Sequence, residues 1–226
     1  MNPALTIAAK DLKVELRSKE MLSAMFLFSL LIVLAFRFAF SDAISSGTIS
    51  LGDLAASGLW ICFSFAAIVG MHSSFAKEKD RETLEGLLLA PVDRSSVFLG
   101  KALSNLVVVF SVDLLSIAFF ALFFSFDFGD HVIPVIGVAL LGTIALVLVG
   151  TLVAAISVNA RAREVLLPVL LIPLIAFSVI MPSVSATSKA LSGDLTEATG
   201  EMQSIVAFAL IFAATGYFTI DYVLEG

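Results

Sequence analysis

"FAKEKDRETLEGLLLAPVDRSSVFLGK", residues Phe75 to Lys101, carries ten charged residues in a chain that is 59% hydrophobic and only 14% charged. Six are consecutive, from Lys77 to Glu82, and Glu85, Asp93, Arg94 and Lys101 follow. Composition changes abruptly on both sides. Leu54 to Phe75 precedes the stretch and Val97 to Phe126 follows it, and each is long and apolar enough to cross a membrane. The charged stretch is therefore a loop between two membrane spans.

Working outward, four further runs have the same character: Leu22 to Phe40, Val132 to Ser157, Glu164 to Pro182 with Pro168 and Pro173 inside it, and Gln203 to Leu224. A mean hydropathy of +1.06 excludes an ordinary soluble domain. Backbone groups in lipid must be satisfied within the segment, and the two-residue alternation of a β-barrel is absent, so the fold expected is all-α. The chain reads as one polytopic transmembrane domain over 1–226: an interfacial helix at 1–20, six transmembrane helices at 22–40, 54–75, 97–126, 132–157, 164–182 and 203–224, a coupling loop at 76–92, and an external segment at 183–202. The first run continues to Phe40 without a small-residue cleavage site, which makes it a retained helix rather than a signal peptide.

Orientation follows from Lys and Arg. Of the 13 basic residues, all but Arg37 and Lys189 fall in the N-terminal segment, in the loop after span two with its flank, or in the loop after span four. The opposite side holds Asp42, Asp53, Asp127, Asp130, Asp194, Glu197 and Glu201. By the positive-inside rule both termini of this multi-pass chain are expected in the cytoplasm. The net charge of −6 is no nucleic-acid signature.

In "LTIAAKDLKVELRSKEML", Leu5, Ala8, Ala9, Leu12 and Leu16 recur at spacings of three and four, with Lys10, Lys13 and Arg17 on another face. This pattern suits an amphipathic helix in the membrane interface, with membrane lipid as its partner. "SVSATSKALSGDLTEATGE", after span five, is rich in Ser, Thr, Ala and Gly, and fits either a small external hairpin or a partly inserted segment.

Catalytic chemistry is not visible. The phosphate-binding pattern fails at its one candidate, where Ser95 and Ala102 stand at required Gly and Ser/Thr positions around Gly100 and Lys101. The chain reads as a non-enzyme. His72 and His131 fall on opposite membrane faces, and Cys62 is the only cysteine, so no metal site and no resident cofactor are expected. Two intramembrane polar residues stand out. Arg37 comes about 22 Å into span one, and Asp113 about 18 Å beyond Lys101, at 1.5 Å per residue. Charges inside a bilayer are costly and usually face the bundle interior. Either the two pair across spans one and three, or Arg37 snorkels outward while Asp113 meets a hydroxyl on a neighbouring helix.

Within the opening stretch, Leu84, Leu87 and Leu88 form one apolar stripe, with Glu82 and Glu85 off it. Pro91 stops the segment, and Asp93 is placed to cap the next helix. A short amphipathic helix of this kind suits docking into a groove of a cytoplasmic partner, or resting on lipid headgroups.

The pattern "KEKDRETLEGLLLAPVDRSSVFLGKAL" resembles the loop after the second span of ABC-2-type permeases, where a charged run, a "TLE-x-LL" core, a proline and a downstream "LGK" mark the coupling helix. The short length, the missing large outside domain and the opening "AAKDLKVELRSKEML" are similar to the heme exporter protein B family. That resemblance implies a permease subunit of an ABC complex for cytochrome c maturation, with heme as possible cargo and ATP used through a separate ABC ATPase subunit. It further implies a second permease copy and a heme-handling membrane protein as partners. ATPase coupling would fall to Lys77, Glu78, Lys79, Asp80, Arg81, Glu82, Leu84, Glu85, Leu87, Leu88 and Pro91. The alternative is an ABC-2-type permease exporting a drug, lipid or glycan.

Overall fold

The structure, a computed structural model, describes residues 2–80, 92–157 and 163–225. Among them it is helical, with short turns and no strand. Helix α1 (Pro3–Ser18) starts at Asn2, whose side chain accepts from the Ala4 N–H, and has proline in its first turn, where no backbone donor is lost. It ends at Lys19, which adopts a left-handed conformation (φ 56°) and begins α2 (Glu20–Ala39) at once. A single residue turns the chain from the interfacial helix into the first span. The short α3 (Ser41–Ser45) follows, then α4 (Leu51–Asp80) and α5 (Arg94–Phe124). A 3-10 turn (Gly129–His131) leads into α6 (Val132–Ser157). The last part contains α7 (Arg163–Ile175), a π turn (Ala176–Ile180), α8 (Met181–Leu191) and α9 (Thr199–Glu225).

Six of these segments are long and apolar enough to span a membrane. α4 is the central one: 72% of its apolar window is buried, against 22% for α2 and α9. Leu59, Trp60, Phe63 and Met71 on α4 are fully buried among α2, α5, α6 and α8. Leu27 and Leu31 of α2 and Leu210 and Phe218 of α9 are instead exposed, as expected of the outer faces of a bundle in lipid.

The fifth span differs from its sequence boundary. The sequence reading ends this span near Pro182 and leaves 183–202 as an external hairpin or a partly inserted segment. Instead, the helix runs through Leu191, and the span covers Pro168–Leu191. The π turn resets the backbone just before Pro182, so this proline sits in the first turn of α8, where its missing N–H costs little. Most polar residues that suggested an external hairpin or a partly inserted segment have partners within the bundle, while the buried Ser183 hydroxyl has none among the described residues. The Thr187 hydroxyl donates to the Ser183 carbonyl (2.8 Å), and Ser183, Ala186, Thr187 and Ala190 are buried. Only residues 192–198 connect to α9.

Candidate functional site: the base of α5 and its links through the bundle

The chain leaves α4 through Lys77, Glu78, Lys79 and Asp80, which form its last turn. Arg81, Glu82, Leu84, Glu85, Leu87, Leu88 and Pro91 lie outside the described residues. The backbone resumes at Val92. Asp93 occupies the N-cap position of α5, and its carbonyl accepts from the Ser96 N–H (2.9 Å), but its side chain makes no capping bond. The expected cap is thus correct in place and not in chemistry: Asp93 caps through its backbone.

α5 is held at this end by two other helices. From its first turn, Arg94 Nη1 donates to the Asp221 carbonyl of α9 (2.8 Å). One turn later the tip of the Phe98 ring meets Gly216 of α9, where any Cβ would overlap it. Gly100 meets α1 so closely that an added Cβ would stand 2.8 Å from the Ala4 carbonyl oxygen and 2.9 Å from Ile7 Cβ. Lys101, although 1% exposed, extends its ammonium to Asp11 of α1 (Nζ–Oδ2 3.4 Å). Glycine allows the backbones to approach, and the ion pair fills the contact they create.

Further along, α5 and α6 run antiparallel with two polar rungs two turns apart. Asn105 Nδ2 donates to Thr151 Oγ1 (3.2 Å), and the Thr143 hydroxyl donates to Asp113 Oδ2 (2.7 Å). Asp113 is fully buried. Arg37 lies elsewhere: its Nε donates to the Phe123 carbonyl (3.2 Å), and its guanidinium stands 5.9 Å from the centre of the Phe124 ring. The two intramembrane charges therefore have separate partners. Ten residues of α5, about 15 Å, divide Asp113 from the Arg37 contact. Equal depth fails because Arg37 stands level with Phe123, which is 22 residues beyond Lys101 along α5, whereas Asp113 is only 12 beyond it.

At the far end, α8 is tied to α4 and α9. Trp60 Nε1 donates to Thr187 Oγ1 (2.8 Å), and its ring occupies the space left by Gly142 on α6. The Ser188 hydroxyl donates to Asp53 (2.7 Å), and Lys189 binds the Glu201 carboxylate and the Glu197 carbonyl. In the connection, Asp194 accepts from the Thr196 hydroxyl (2.6 Å) and the Glu197 N–H (3.2 Å), which hold its carboxyl below the usual range. His131 lies in the 3-10 turn beside Gly193, while His72 lies along α4. Among the described residues, no three of His, Cys, Asp and Glu converge as metal ligands.

Sequence reasoning missed the contacts at the base of α5. Asp11 looks like one of many charges on an amphipathic helix, and Gly100 and Gly216 are isolated glycines. The signal available was small residues on long apolar helices, where backbones pack closely.

A protein-family model described as CcmB protein matches residues 2–225. No curated protein matches the chain.

Proposed function

Because the chain belongs to the CcmB protein family, and is thereby a heme exporter permease component for cytochrome c maturation, we propose that it couples ATP hydrolysis on a separate ABC ATPase to heme export, or to release of a heme-loaded chaperone, on the outer side. In this reading two permeases and two ATPases assemble with a heme-handling membrane protein in a bacterial inner membrane. Both termini and the 76–92 loop face the cytoplasm. Heme is cargo, and the role of this chain is mechanical.

The observation that carries the reading is the double grip on the base of α5. A helix transmits a push along its axis only if the pushed end is held sideways. Lys101 with Asp11, Gly100 with Ile7, and Phe98 with Gly216 supply that restraint directly after the loop. ATPase closure would act on residues 77–91. α5, 31 residues or about 46 Å long, would carry the displacement outward. The rungs to Thr151 and Thr143 would move α6 with it, and Arg37 on Phe123 would engage α2.

Charge placed on the leucine stripe tests the proposal. Leu84→Asp, Leu87→Asp and Leu88→Asp together should release the ATPase from membranes and abolish c-type cytochromes, with the Trp60 emission of the folded bundle unchanged. ATPase retention with normal cytochromes would overturn it.

A further inference from the structure

We propose that α1 carries a binding surface for acidic phospholipid headgroups, formed by Lys13 and Arg17 beside an exposed leucine stripe. The proposal deepens the reading above, resting on α1 facing the cytoplasmic leaflet. At about 100° per residue, α1 divides into three sectors. Ala4, Ile7, Ala8, Asp11 and Glu15 turn toward the bundle, where Ile7, Ala8 and Glu15 are buried and Asp11 meets Lys101. Leu5, Ala9 and Leu16 lie on the next sector with the half-buried Leu12. Leu5 is 57% and Leu16 55% exposed, so the apolar stripe is not what holds α1 to the protein. Lys13 and Arg17 follow on the third sector with Lys10, all three exposed, and Lys10 also reaches Asp11 (2.9 Å).

An amphipathic helix normally spends its apolar stripe on the protein core. Here the sector of Ala4, Ile7, Ala8, Asp11 and Glu15 packs on the bundle, and Leu5 and Leu16 remain exposed beside cations. A lipid leaflet fits this arrangement better than a protein partner does. Lys19 alone joins α1 to α2, so the stripe begins at the end of a membrane span. That span also exposes leucines, Leu27 and Leu31. Leucines immersed at the acyl boundary would leave the long Lys13 and Arg17 side chains at phosphate level, where they snorkel toward anionic oxygens. Asp11 and Glu15, which acidic lipid would repel, are turned away.

The full-length protein carrying Ala9→Cys is spin-labelled, Cys62 being buried, and placed in nanodiscs of phosphatidylcholine or of phosphatidylcholine with phosphatidylglycerol. Collision with oxygen against a water-soluble nickel chelate reports label depth. Bound phosphatidylglycerol is counted after purification, and ATPase retention is measured on the same variants. The expected result is a lipid-buried label and a phosphatidylglycerol preference that falls about fivefold for each of Lys13→Gln and Arg17→Gln, and falls with salt. The same variants should keep the ATPase, so this result separates lipid binding from coupling. A label exposed to the chelate in both lipids overturns the proposal, as does a preference unchanged by the two substitutions. Protection of the label only after ATPase addition also overturns it, assigning the surface to protein.

Discussion

Lys101 shows how much one residue can organise here. Its charge is buried against Asp11, so removing it leaves a carboxylate with reduced compensation. Lys101→Met should cost about 3 kcal/mol of stability, read from detergent-solubilised protein by Trp60 fluorescence during denaturation. The double variant Asp11→Leu with Lys101→Met should regain part of that loss, because the Asp11 carboxylate, which also pairs with Lys10, is then no longer left short of a cation. Asp113 behaves differently. Its contact is a hydroxyl donating to Oδ2, which the amide oxygen of Asp113→Asn can also accept. That variant should assemble and support cytochrome c maturation close to wild type, whereas Asp113→Leu should lose about 1–3 kcal/mol by stranding the Thr143 hydroxyl. Exchanging the charges at Arg37 and Asp113 should rescue neither neutral variant, since the Arg37 contact lies on the Phe123 carbonyl. Both residues are visible in the sequence as charges within apolar runs. Their partners are not, because the distance a residue lies along its own helix does not say which level of a neighbouring helix it meets.

At the scale of elements, α8 is the most instructive. Its sequence is polar and carries a proline, both unusual in a span, yet Pro182 falls in its first turn and its Ser185, Ser188 and Lys189 side chains find partners on neighbouring helices. Trp60 then joins it to the central helix. Thr187→Val should leave the buried indole N–H without an acceptor, at a cost of about 1–3 kcal/mol and with a shift in tryptophan emission. Gly142→Ala should cost a similar amount, about 1–3 kcal/mol, by overpacking, because its methyl meets the Trp60 ring from the α6 side. The two substitutions disturb one indole from its opposite ends, so their effects should not add. The single tryptophan makes both measurable by emission alone.

For the molecule as a whole, the decisive relation is between three distant parts of the chain. The start of α5, the helix α1 and the end of α9 meet at one end of the bundle, as six crossings require. This makes α5 a held rod rather than a free one. Gly216→Leu should push Phe98 from its seat and loosen α9 from α5. In the proposed mechanism that variant keeps the ATPase on the membrane and still loses c-type cytochromes, which separates transmission from docking. Normal cytochromes with Gly216→Leu would show that the grip on α5 is not needed.

The helical class, six spans and the charge asymmetry behind their sidedness were present in composition and period. Lipid imposes these terms on each segment alone: enough apolar length, satisfied backbone, and cations kept to one side. The segment "KEKDRETLEGLLLAPVDRSSVFLGKAL" was likewise sufficient to suggest the family that the comparison of residues 2–225 then identified. Tertiary structure decided what no segment holds by itself. It carried the fifth span's helix on to Leu191, separated Arg37 from Asp113, and seated α1 on α5 through Ala4, Ile7 and Asp11 rather than through Leu5 and Leu16. Each depends on which surface a neighbouring helix offers. Where Gly100 lets α1 approach and Lys101 waits in the gap, Asp11 is a better fit than leucine.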